Sequence, residues 1–448
     1  MFLLIKIKIV FAVILTLSLF TVGHTQTPEK TKLDQFFDRL NEKNKAMGSV
    51  TIAKEGNILY TRSIGYGHVN GTEKKPLTAA TRYRVGSITK MFTVVMILQL
   101  VEEGKIKLND TLDKFFPQIS NANKITIEHV LSHRSGIHDI SEDRDFRIKR
   151  LEGMTKDELL TLIIKSKPDF EPGTKHAYSN TGFQVLGFLI EKLTGKPYEQ
   201  VINDKIISKI GLKDTYIATG SIDINKNESF SYRYISDWEQ VPETNPSLLF
   251  GSGALISTSN DLVIFIQALF EGKLISKESL NLMKTMKDDY GLGLDTFTFA
   301  GKIFYGHTGG IDNFGSWLAY LPEEKLALAY TANAKVYPVV NIVSGVVDIC
   351  FNKPFTVPSF ESLAISTDVL DKYVGVYSST EAPVKFTVTR DNEKLLIQAN
   401  AESAAPLEAT AQDKFKIESA GIVIQFDAEK KQMTLIRNGR ERLFTKEN

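Results

Sequence analysis

The chain has 448 residues, and its 54 Lys and Arg against 53 Asp and Glu leave a formal charge of +1. That balance gives no electrostatic basis for binding nucleic acid or an anionic membrane, and no basic stripe interleaved with aromatics is seen. The lone cysteine, Cys350, excludes an internal disulfide, and a chain of this length exceeds one ordinary core, which points to two domains.

Lys6 and Lys8 precede an apolar run from Ile9 to Val22 and then Gly23-His24-Thr25-Gln26. A basic start, a short apolar core and small residues at a cleavage-like place read as a secretory signal over residues 1–25. The product would be an exported, periplasmic or extracellular protein. The run is shorter than the ~20 apolar residues that a span needs, so no stable membrane span is expected after cleavage. Residues Lys32–Lys45 follow with Leu33, Phe36, Phe37 and Leu40 at helical spacing. Ser49–Lys54 and Asn57–Ile64 read as a hairpin turned at Glu55-Gly56.

Gly86 then introduces Ser87-Ile88-Thr89-Lys90, the only Ser-x-x-Lys in the chain, at the start of an apolar run to Glu103. Residues three apart share a helix face, so the Lys90 amine can meet the Ser87 hydroxyl. A serine hydroxyl needs a neighbouring base to become a nucleophile, and a lysine serves only once burial or cations lower its pKa from ~10.4. Alone, the motif fits a helix-capping serine beside a surface lysine better than a nucleophile. Further helices are expected at Ile127–Ser132, Lys156–Ser166, Asn180–Leu193, Tyr198–Lys209 and Ser259–Phe270, with an irregular, loop-rich stretch from Leu212 to Phe250.

Tyr178-Ser179-Asn180 follows Glu171-Pro172-Gly173-Thr174, and His307-Thr308-Gly309-Gly310 ends a strand-like segment starting at Lys302. Asn180 also fits the cap of the following helix. Gly309 and Gly310 also fit a bulge. Strands at Phe314–Leu321 and Lys325–Thr331 and a helix from Val339 to Phe351, which would bury Cys350, close this region. His133 and His138 lack the acidic or thiol neighbours that zinc-ligand spacing requires, so no metal or cofactor is expected. Beyond Pro354 and Pro358, short alternating runs from Tyr373 to Phe444 indicate a small barrel or sandwich.

Ser-x-x-Lys, Tyr-x-Asn and His-Thr-Gly in this order resemble the serine β-lactamase and penicillin-binding protein superfamily, in its class C and DD-peptidase branch. Leu131-Ser132-His133-Arg134-Ser135-Gly136 and Gly251-Ser252-Gly253-Ala254-Leu255 look similar too, and the likeness runs from Leu33 to Phe351. It implies an α/β (α+β) fold of the β-lactamase/transpeptidase type. An antiparallel sheet with an inserted helical region would fill residues 26–357, and a lipocalin-like β barrel residues 366–448. The cleft would lie between sheet and helices.

The resemblance also implies an acyl-enzyme on Ser87. Lys90 and Tyr178 would share the proton, and Asn180 would orient Lys90 and a substrate amide. Oxyanion contacts would come from the Ser87 and Gly310 amides. Thr308 would bind a substrate carboxylate, with His307 shaping the charge there. Where class C β-lactamases carry lysine, this chain has His307, largely neutral at pH 7, which favours peptide or ester hydrolysis over efficient β-lactam hydrolysis. The expected substrate is a short peptide or small molecule, with a D-alanyl-D-alanine peptide foremost. An esterase, an amidase or a penicillin-binding sensor would use the same residues. The oligomeric state is left open.

Overall fold

The structure, a computed structural model, describes residues 28–400 and 404–447. The export signal expected at 1–25 lies outside the described residues. Among the described residues, no helix is long and apolar enough to cross a membrane.

A six-stranded sheet organises the larger part. Its order is Asp295–Phe299, Lys302–Ile311, Phe314–Leu321, Leu326–Lys335, Ala46–Lys54, Asn57–Ile64, and every neighbouring pair is antiparallel. Strands from both ends of this region thus meet, and the helical stretch between them is an insertion. Phe314–Leu321 is buried throughout, and Leu326–Lys335 throughout except at its last residue. Covered on both faces, these strands have no polar side to show.

Helix Lys30–Glu42 buries Leu33, Phe36, Phe37 and Leu40 against one face, together with helix Val339–Cys350. Burial of each such side chain contributes on the order of 2 kcal/mol. Helix Ser259–Phe270 packs on the opposite face and joins it to the helical region. The Glu55-Gly56 turn takes positive φ at both residues, 51° and 82°, the twist that a two-residue hairpin needs. Cys350 is buried, and burial pushes its thiol up to about 12, which leaves it inert at neutral pH.

The sheet is wider than the sequence suggests. Edge strand Asp295–Phe299 was not expected, and the Lys302 strand runs five residues beyond Gly306, to Ile311. The two differ in extent. The edge strand's pairing stops at Asp295↔Gly306, whereas pairing with Phe314–Leu321 continues to Ile311↔Phe314. Residues 307–311 therefore keep one edge of the strand clear of the ladder.

Eight antiparallel strands from Gly375–Ser378 to Arg440–Lys446 close into a barrel around Val388, Ile397, Phe415, Ile424, Met433 and Phe444. Closure removes the free edges that invite aggregation. Strand Ala405–Ala411, with its Ala and Pro content, was not apparent in the sequence. The barrel docks on the larger part through buried Lys45, which pairs with Glu408 and, at 3.5 Å, with Glu418. Lys394 adds a bond to the Ile235 carbonyl at 3.3 Å. A cavity of about 490 Å³ lies along this seam.

Candidate active site

Ser87 sits in a tight turn, Gly86–Ile88, that runs into helix Thr89–Glu102. The turn needs glycine at 86 for two reasons: φ is +53°, and a Cβ would come within 2.8 Å of the Gly310 nitrogen. Every helix residue from Thr89 to Leu100 is buried, so this helix is apolar all round, as a central helix must be.

Lys90 is 0% exposed. Its amine donates to Ser87 Oγ at 3.1 Å, Asn180 Oδ1 at 2.8 Å and the Ser252 carbonyl at 2.9 Å, one acceptor for each N–H of an ammonium. It also lies over the rings of Tyr178 and Phe183. Burial lowers its pKa to about 7, with the Asp139 carboxylate pulling weakly the other way. A substantial fraction of Lys90 is thus neutral at pH 7, with a lone pair beside the serine.

Tyr178 precedes helix Asn180–Thr194, whose cap is Ser179, accepting from the Gly182 N–H. This corrects the capping alternative for Asn180, which is the first helical residue instead. Asn180 spends its amide on the site: Oδ1 faces Lys90, while Nδ2 donates to Asp139 Oδ2 at 2.9 Å. That geometry sets Asn180 to orient the lysine. Asp139 also accepts from the Asn180 backbone N–H at 3.1 Å.

The Tyr178 hydroxyl donates to Ser87 Oγ at 2.8 Å, and the residue is 40% exposed, within reach of a ligand. Desolvation of the hydroxyl raises its pKa above the ordinary value, with the charges of Asp139 and Asp295 adding to the rise. Tyr178 is therefore a phenol, not a phenolate, at neutral pH. One serine oxygen thus touches both a near-neutral amine and a protonated phenol.

Behind Tyr178 lies a buried relay that the sequence did not reveal. The Ser179 N–H donates to His133 Nδ1 at 3.1 Å, which leaves the His133 proton on Nε2. His133 Nε2 meets the Tyr290 hydroxyl at 3.1 Å, and that hydroxyl meets His307 Nε2 at 3.3 Å. His307 Nδ1 is bonded to the Thr308 carbonyl, so its proton is on Nδ1 and Nε2 accepts from Tyr290. The hydrogen bonds assign one tautomer to each ring. Burial lowers the pKa of both, His307 to about 4, with the Lys90 charge adding to each shift. Both rings are neutral at pH 7.

His307 is 2% exposed. It is therefore tied into the relay, and its burial disfavours the charged form. Thr308 and Gly310, by contrast, are exposed on the strand. Gly309 is required by close approach: a Cβ would lie 2.0 Å from the Val85 carbonyl oxygen and 2.3 Å from Ser316 Oγ. Pairing with Phe314–Leu321 runs through Gly309 and Gly310 without a shift of register, so neither marks a bulge. Two members of the site, Asp139 and Tyr290, went unremarked in the sequence. Their signals were slight: an aspartate within the His133–Ile140 stretch, and a tyrosine flanked by loop residues.

Comparisons with known proteins agree with this geometry. A family model described as Beta-lactamase matches residues 33–342. A penicillin-binding protein of Bacillus subtilis (strain 168) is 26% identical over 429 residues, covering 89% of this chain and 94% of the relative. The octameric penicillin-binding protein homologue from Pyrococcus abyssi is 27% identical, with a TM-score of 0.65 over 93% of this chain and 100% of that one. A D-stereospecific amidohydrolase from Streptomyces sp. is 29% identical, with a TM-score of 0.62 over 72% of this chain and 99% of that one.

Proposed function

Because this chain belongs to the Beta-lactamase family and is a serine hydrolase, we propose that it is an exported D-alanyl-D-alanine carboxypeptidase working through a Ser87 acyl-enzyme. One observation carries the reading: Ser87 Oγ lies 3.1 Å from the Lys90 amine and 2.8 Å from the Tyr178 hydroxyl. Lys90, with its pKa near 7, is the general base and Tyr178 the proton donor, because the phenol is protonated where the amine is not.

In acylation, neutral Lys90 takes the Ser87 proton as Oγ bonds to the peptide carbonyl carbon. The oxyanion is held by the amides of Ser87 and Gly310. Collapse breaks the C–N bond, Tyr178 gives its proton to the leaving amine, and Lys90 returns its proton to Tyr178. Water then attacks the ester, its proton passes to Lys90, and Ser87 regains a proton as the acid leaves. Asn180 and Asp139 hold the Lys90 amine toward Oγ. The likeness to a Salmonella typhimurium protein named as a putative D-alanyl-D-alanine carboxypeptidase, 26% identical over 407 residues, supports the D-alanyl-D-alanine substrate.

A second reading, a D-amino-acid amidase or esterase, draws on the neutral, sequestered His307 and on the likeness to a D-stereospecific amidohydrolase. Comparing kcat/KM on an N-acyl-D-Ala-D-Ala peptide, D-amino-acid amides, p-nitrophenyl esters and nitrocefin tests both. Dominant release of D-Ala is expected. Dominant amide or ester turnover would move the assignment to the second reading. No turnover beside a long-lived penicillin adduct would make the protein a sensor.

A further inference from the structure

With His307 neutral, the site still needs a cation for an anionic substrate, and one side chain beside it has no assigned task. Lys335 ends strand Leu326–Lys335, two strands away from Gly310. Its stem crosses Gly315, where a Cβ would strike Lys335 Cδ at 2.9 Å and Cγ at 3.1 Å. Gly315 pairs directly with Gly310, and the Lys335 amine ends 3.9 Å from where a Gly310 Cβ would stand. The bare Gly315 therefore clears a path along which the lysine stem brings an ammonium to the strand on which the oxyanion contact is proposed.

Among the described residues, the one hydrogen bond of that amine goes to the Asp312 carbonyl at 3.5 Å, long for a charged donor. Burial lowers its pKa, with Asp312 opposing, as expected for a cation short of partners. Thr308 lies on the same face as Gly310, roughly 7 Å along the strand, so a hydroxyl and an ammonium flank the Gly310 position. In a peptide with a free C-terminus, the carboxyl carbon is two bonds beyond the scissile nitrogen. The group that holds it must therefore sit within a few ångströms of the oxyanion contact.

Resting on the hydrolase reading above, we infer that Lys335 is the specificity residue that anchors the carboxylate of the acyl donor, in place of the expected charge at His307. The bland alternative is that Lys335 only steadies the turn at Asp312-Asn313. The test uses full-length protein with benzylpenicillin and N-acetyl-D-Ala-D-Ala, each as the free acid and as the methyl ester, and with a neutral fluorophosphonate. Lys335→Met should slow acylation by the acids about 10- to 100-fold, the loss of one charge-assisted hydrogen bond. The esters and the fluorophosphonate should react at the wild-type rate, and Lys335→Arg should recover most of the loss. Equal slowing of acids, esters and fluorophosphonate, or no slowing of any, would overturn the assignment. Acid-selective loss in a protein that fails to release D-Ala would support Lys335 while counting against the peptidase reading alone.

Discussion

Gly309→Ala and Gly310→Ala form a matched pair whose outcomes the geometry separates. A Cβ at 309 would lie 2.0 Å from the Val85 carbonyl oxygen and 2.3 Å from Ser316 Oγ, whereas real contacts stay above 3.0 Å. The strand must therefore retreat by at least 1 Å (3.0 less 2.0) from the backbone that leads into Gly86 and Ser87. The neighbouring Ser316 hydroxyl cannot yield freely, because it donates to Val85 O at 2.8 Å. Such overpacking costs about 1–3 kcal/mol of stability. A 1 Å displacement of the Gly310 amide relative to Ser87 should lower the acylation rate about 100-fold, comparable to losing an oxyanion donor. A Cβ at 310 meets nothing nearer than 3.9 Å, so Gly310→Ala should stay within a few-fold of wild type. The assay is the second-order rate of fluorophosphonate labelling, with thermal melts alongside. If Gly309→Ala labels and melts like wild type, or if Gly310→Ala is the slower of the two, the close approach of strand and turn is not what positions the oxyanion contact.

Labelling of the wild type should rise with pH through about 7 and then level off, because Lys90 is active when neutral and its charged form prevails below its pKa; a rate that is flat from pH 5 to 9 would rule it out as the base. Asp139→Asn removes the carboxylate that raises the Lys90 pKa, so the same acid limb should move to lower pH; a limb moving upward would show that Asp139 acts otherwise. Tyr290→Phe keeps the ring and deletes the hydroxyl between two buried imidazoles, and should cost about 1–3 kcal/mol in chemical denaturation; unchanged stability would mean that the relay carries no weight. Lys45→Met leaves Glu408 without its cation and Glu418 with Lys416 alone, so the barrel should melt earlier by calorimetry or be released sooner by protease cutting within residues 352–366.

Much of this fold is written in periodicity. Leu33, Phe36, Phe37 and Leu40 announce their helix because one face is buried and the other wet. The Glu55-Gly56 hairpin announces itself through turn chemistry. Asp295–Phe299 does not, since an edge strand of half-buried residues lacks clear alternation. Ala405–Ala411 is hidden for a related reason: its strand state is imposed by neighbours closing a barrel, with Leu407 its one buried side chain. In the site, Ser87 and Lys90 were legible because helical spacing is a local rule. Tyr178 and His307 were legible only through resemblance. Asp139, Tyr290 and Lys335 act across long sequence separations, and no local pattern records that a tyrosine will bridge His133 and His307, or that a glycine at 315 will open a path for a lysine.

The most direct measurement is mass spectrometry of intact protein after reaction with a fluorophosphonate and with benzylpenicillin, followed by peptide mapping. We expect one adduct per chain, on the peptide that carries Ser87, and none on Ser87→Ala. An adduct on another residue, or equal labelling of Ser87→Ala, would contradict the assignment of Ser87 as the nucleophile.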